Sequence, residues 1–242
     1  MARMDLGPRW LERYNDGQRD IVWHELRQLG AAPLEPDLAA EAQAVCDEMA
    51  RRARQNIEVV VERLTEAGYR FHHNDDEETP TTPFVPATDA AEDQARWLVE
   101  RFGAVPLTLL SWVRLVGDVW LVGTHPDWPE SSQADPLVLK TQGARQDYFD
   151  EQWQQHLADG ARHLFVLPLA PDRYHKGNIS GGGPYGVIVP DGCVEGVFAG
   201  EMDMPFVSYL NWVFRWGGFP WPSGNRAQWR VLHRLKRDLL PL

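Results

Sequence analysis

The stretch YGVIVPDGCVEGVF, residues 185–198, decides the fold class. Two apolar runs, 185–189 and 194–198, flank Pro190-Asp191-Gly192-Cys193. A turn of that composition between β-branched and aromatic runs is the signature of a hairpin, so an antiparallel pair is expected. Upstream, residues 119–122, 137–139 and 164–167 are short apolar runs of the same kind and read as further strands. They are not spaced by helices of regular length, which argues against a doubly wound parallel sheet.

Helical patterns gather at the two ends of the chain. After the turn signal Asn15-Asp16-Gly17, Val22, Leu26 and Leu29 recur at helical spacing until Gly30. Leu38, Ala42, Val45, Met49, Ala53, Ile57, Val61 and Leu64 then sustain a rhythm of three or four residues. Asp37 is placed to cap that helix and Gly68 to end it in the left-handed conformation. Arg51, Arg52, Arg54 and Arg63 fall on the opposite face, which reads as solvated. Farther on, Asp89-Ala90-Ala91-Glu92 resembles a capping box before Trp97, Leu98 and Phe102. Pro106 opens a helix carrying Leu109, Trp112 and Val113, and Gly117 ends it. A helix of almost wholly apolar surface follows Pro205, and a basic amphipathic helix occupies residues 226–239.

The expected fold is therefore α+β, a central antiparallel or mixed sheet flanked by helices, with an N-terminal helical hairpin. Residues 72–88, HHNDDEETPTTPFVPAT, are acidic, proline-rich and poor in apolar side chains. That composition predicts a linker or exposed loop. It separates an N-terminal helical segment, 1–71, from an α+β domain, 89–242.

The 242 residues include 11 Trp and are 43% hydrophobic, ample for one large core. The formal charge of −11 disfavours a phosphate backbone as partner and favours a basic protein. Two cysteines, Cys46 and Cys193, exclude a disulfide framework or a zinc cluster as the organising device. Neither a signal peptide in the first ten residues nor a membrane span in 105–122 is expected, since Arg114 and Asp118 interrupt the latter. The expected location is cytoplasmic, with no cofactor.

Candidate chemistry centres on residues 171–186, PDRYHKGNISGGGPYG. Three consecutive glycines permit backbone amides to cradle an anion, and His175 and Lys176 add a titratable group and a charge. His175, Lys176, Asn178, Ser180 and Gly182 are the candidate ligand-binding residues. Gly181, Gly183 and Gly186 satisfy G-x-G-x-x-G, but a nucleotide loop needs a helix after it and here a strand follows. A close-packed structural loop pinned by Tyr174, His175 and Asn178 is the plainer expectation. His72, His73, Asp75 and Asp76 offer metal-ligand types on a segment without rigid support. His125 precedes Asp127 in a turn that Asp127 is expected to cap, and Ser111 lacks the strand–turn–helix context of a nucleophile. No catalytic residue is expected. Trp216, Phe219 and Trp221, beside Gly217-Gly218 and Pro220, are candidate partner-binding aromatics or closures of the core.

Glu100-Arg101-Phe102-Gly103, then Val105-Pro106-Leu107, Trp112, Gly117 and Val119-Trp120-Leu121-Val122-Gly123 resemble the SMI1/KNR4 (SUKH) pattern. The likeness covers residues 97–123; the usual Asn-Gly after the second helix is Val116-Gly117 here. It implies an α+β fold without an active site and a role as an immunity protein that binds and neutralises a bacterial toxin. The leading expectation is thus a non-enzymatic protein-binding module. The alternatives are a ligand-binding protein or enzyme using His175 and Lys176, and a scaffold using the N-terminal helices.

Overall fold

The computed structural model describes residues 7–31, 34–160, 164–222, 224 and 226–242. Residues 1–6, on which part of the leader expectation rests, lie outside them. The elements run α1 Trp10–Asn15, α2 Arg19–Gln28, α3 Pro36–Glu66, β1 Arg70–Phe71, β2 Phe84–Pro86, α4 Ala91–Phe102, α5 Leu107–Leu115, β3 Gly117–Trp120 and β4 Gly123–Thr124. They continue with β5 Val138–Leu139, α6 Gln146–Ala158, β6 Phe165–Ala170, the single turn α7 Arg173–Lys176, β7 Tyr185–Val189, β8 Val197–Ala199, β9 Met204–Pro205, α8 Phe206–Arg215 and α9 Arg226–Leu235.

The fold is α+β, and every strand pair among the described residues is antiparallel. The strands form three small sheets, ordered β1-β4, β2-β3-β5 and β6-β7-β8-β9. The hairpin read from residues 185–198 is the β7–β8 pair, in register Gly186↔Ala199 and Val187↔Phe198. The amide of Lys140, just past β5, donates to the Leu169 carbonyl at 2.8 Å and joins the second sheet to the third.

Helix α3 is the long amphipathic helix of the sequence pattern. It buries Val45, Met49, Ala53, Ile57, Val60 and Leu64 and packs on α1 and α5. Each of these side chains larger than alanine contributes roughly 1.5–3 kcal/mol when withdrawn from water. Gly68 closes it at φ 76°, as its position predicts. Asp37, however, lies inside the helix: Pro36 takes the first turn and no side chain caps the start. The expected capping box at residues 89–92 does not form either. Glu92 instead reaches across to Arg114 on α5, 2.7 Å away.

The segment 72–88 is exposed over 75–80 but tied at both ends. His72 is buried, its Nε2 2.8 Å from Thr124 Oγ1, and Phe84 pairs with Val119 in the second sheet. A single hydrophobic cluster runs from Trp10 to Leu242, so the core is continuous across this excursion. Arg63 is not merely solvated; it donates to the carbonyls of Leu235 (2.8 Å) and Arg237 (2.6 Å) and terminates α9 at Leu235, short of residue 239. Asn56 exchanges hydrogen bonds with Leu240, and Asn211 with Leu242, fastening the tail to α3 and α8. Among the described residues, no helix is long and apolar enough to cross a membrane.

Candidate recognition surface

The distinctive loop is held by an ion pair that the sequence does not disclose. The Lys176 side chain is 0% exposed and its Nζ lies 2.5 Å from Asp135 Oδ1, whose side chain is 2% exposed. Asp135 sits at φ 55°, a left-handed conformation that aspartate tolerates better than most residues. The Tyr185 ring centroid is 5.1 Å from the ammonium. Two charges removed from water are tolerable only when paired and hydrogen-bonded, so this contact fixes α7 on the turn that precedes β5. Burial also drives the Tyr185 and Tyr209 hydroxyls well above their ordinary pKa.

Asp172 caps α7: its Oδ1 accepts from the His175 amide at 2.7 Å and lies 3.0 Å from His175 Nδ1. Its other oxygen is buried without a hydrogen-bond partner. A Cβ placed on Gly181 would come within 2.5 Å of both Asp172 carboxylate oxygens. The triple-glycine loop therefore closes over a carboxylate. Its hollow is already filled by negative charge, which overturns the expectation of an anion cradle. Lys176 is likewise withdrawn from any ligand by Asp135. Asn178 adopts φ 58° in the turn, and Ser180 and Gly182 are exposed on the loop rather than convergent on a hollow. His175 is exposed, and Asp172 is the one hydrogen-bond partner of its ring among the described residues. That carboxylate sets the orientation of the imidazole.

The outward side of α7 is different. The Arg173 guanidinium lies 4.7 Å from the Tyr174 ring centroid and 5.4 Å from that of Trp221, and it donates to the Tyr174 hydroxyl at 2.9 Å. Glu201 approaches its other edge at 3.6 Å. The Arg173 amide donates to Tyr185 Oη, so the backbone beneath the cation is anchored as well. Tyr174 is 42% exposed, Ile179 51% and Met202, next to Glu201, 51%. The amide of Ile179 donates to the Tyr174 carbonyl at 2.8 Å, which ties the backbone of residue 179 to the end of α7.

The three aromatics singled out near the glycine pair part company. Phe219 is fully buried between the rings of Tyr69 and Trp128, at 6.1 and 5.3 Å, and cannot meet a partner. It closes the core because Gly217 and Gly218 turn the chain inward, and this corrects its reading as a contact residue. Trp216 packs against Trp229 of α9 at 5.4 Å with Lys236 over its face. Trp221 alone joins the α7 patch, supported from behind by Trp212 at 5.1 Å.

The remaining candidates are structural. Ser111 donates to Asp47 at 2.7 Å and accepts from Gln43. His125 is buried, and its Nδ1 accepts the Asp127 amide, so the imidazole and not the Asp127 carboxylate caps that turn. Burial lowers its pKa. Among the described residues, no three His, Cys, Asp or Glu are gathered to hold a metal ion. Positive charge is concentrated, despite the acidic total, around α9, where a cleft of about 520 Å³ is lined by Arg215, His233, Lys236 and Arg237.

Neither a protein-family model, nor a curated protein, nor a solved structure matches this chain.

Proposed function

We propose that this chain is a non-enzymatic protein-recognition module whose contact surface is the patch of Arg173, Tyr174, Ile179 and Trp221. The observation that carries this reading is the Arg173 guanidinium held between two aromatic rings above a fully buried Lys176–Asp135 pair. Trp, Tyr and Arg dominate the energetics of protein interfaces, and they do so best when presented rigidly, because little conformational entropy is then lost on binding. Here the backbone beneath them is fastened through Asp172, Lys176 and Tyr185. The ionisable groups of the loop pair with one another instead of facing a reactive hollow, which also favours recognition over catalysis.

The finer reading is an immunity-type protein of the SMI1/KNR4-like kind, acting in the bacterial cytoplasm on a toxin. The net charge of −11 would steer a basic partner toward it and speed the encounter. The test is affinity capture from host cells with the wild type, the Tyr174→Ala/Trp221→Ala variant and a control, Leu157→Ser, at another exposed apolar position. A protein retained by the wild type and the control but lost with the double variant supports the proposal. Equal retention by all three overturns it.

A further inference from the structure

Beyond the recognition surface, the structure assigns a small-ligand site: the cleft lined by His73, Asp118, Trp120, Lys140, Arg145 and Tyr148 binds a small organic anion, with a carboxylate or phosphate group on a planar apolar body. The cleft has a volume of about 460 Å³, within the roughly 300–1,000 Å³ typical of ligand pockets. Among the described residues neither Lys140 nor Arg145 forms an ion pair, although most arginines of this acidic chain do. Arg145 Nε is buried with no hydrogen-bond partner. A half-buried cation left without a counter-charge is costly, and an anionic ligand supplies what is missing.

The geometry prepares both cations. Lys140 Nζ lies 5.2 Å from the Trp120 ring centroid, and the Arg145 guanidinium lies 4.0 Å from that of Tyr148. These contacts hold long, flexible side chains in place without neutralising them. The His73 ring, 5.5 Å from that of Trp120, also lines the cleft. Of the residues that line the cleft, Asp118 is the one opposing charge. Its Oδ1 accepts the amides of Thr141 at 2.7 Å and Gln142 at 3.0 Å, so it is committed to shaping the loop that presents Lys140. The cleft thus keeps a net positive charge within a protein of net −11. Pro171 and Pro184 contribute apolar walls at the base of the loop, whereas Arg173, Tyr174 and Trp221 lie outside it. Carboxylates and phosphate monoesters share the anionic chemistry these groups recognise.

The experiment titrates the full chain with 2-naphthyl phosphate, 2-naphthoate and neutral 2-naphthalenemethanol by ligand-observed NMR and calorimetry. At least one anion should bind at a single site, about tenfold or more tighter than the alcohol. The stronger of the two anions identifies the ester or the carboxylate as the natural head group. Lys140→Met, which keeps the stem over Trp120, and Arg145→Gln should each weaken binding about tenfold, while Arg230→Ala on α9 leaves it unchanged. Circular dichroism confirms that each variant is folded; if Arg145→Gln is not, Arg145→Lys takes its place and should weaken binding less. Equal affinity for the alcohol, unaltered binding in Lys140→Met and the Arg145 variant, or no binding by either anion overturns the assignment. Partner capture through Tyr174 and Trp221 is independent of all these outcomes.

Discussion

Replacing Lys176 with Met isolates the contact on which the recognition surface stands. Methionine fills a similar volume, so the change removes a charge and leaves little cavity. It strands the Asp135 carboxylate in a site where both partners are almost wholly enclosed, at 0% and 2% exposure. Removing one member of such a pair costs about 3–5 kcal/mol, because the remaining charge keeps its desolvation penalty and loses its attraction. A chain of this size gains about 5–15 kcal/mol from folding, so the loss consumes a large part of the margin. At about 2–4 °C per kcal/mol, the melting temperature should fall by roughly 6–20 °C. Asp135→Asn should cost a similar amount by leaving the ammonium alone; asparagine tolerates the left-handed backbone, so strain does not confuse the comparison. The double variant Asp135→Asn/Lys176→Met removes both charges and should recover about half of the summed losses or more. Urea and thermal denaturation of all four proteins, followed by circular dichroism, measure the cycle. Additive losses, or a single-variant loss below about 1 kcal/mol, would refute the claim that this pair anchors α7.

Three further outcomes follow from local chemistry. Arg13 and then Trp10 hydrogen-bond Glu25 and lower its pKa from 4.5 to about 2. Its stabilising contribution is present above pH 4.5 and disappears as pH falls toward about 2, so Glu25→Gln should flatten the acid limb of a stability-versus-pH curve. Cys193 is pushed up to about 11 by burial and then by Asp191, so iodoacetamide should label it slowly at neutral pH, at a rate still rising above pH 9. A Cβ on Gly186 would lie 1.8 Å from the Leu167 carbonyl oxygen in the β6–β7 ladder, and Gly186→Ala should lose about 3 kcal/mol or more in chemical denaturation.

The hairpin, α3, α5 and α8 were legible because each carries its own pattern: a turn flanked by apolar runs, or apolar side chains at helical spacing. Helix α6 was not, since QDYFDEQWQQHLA fully buries only Phe149 and its polar remainder gives no stripe to read. The α7 anchor was out of reach for another reason. Asp135 and Lys176 are 41 residues apart, and each looks like an ordinary surface charge until the chain folds. The glycine loop drew attention for the right position and the wrong chemistry, because nothing local announces that Asp172 turns back beneath Gly181. Trp221 and Phe219, two residues apart, take opposite fates because the chain reverses at Gly217 and Gly218, where φ is positive. The cleft cations were invisible for the same reason as the anchor: an absent counter-charge is a property of the fold.

The most direct measurement places a photo-crosslinking phenylalanine at position 174, in place of the exposed tyrosine, and irradiates living host cells. The same residue at position 157, on α6, serves as the reference. Recognition through the α7 surface requires a discrete adduct with one protein from position 174, absent from position 157 and abolished when Trp221 is also changed to Ala. No adduct from position 174, or the same adduct from both positions, would contradict it.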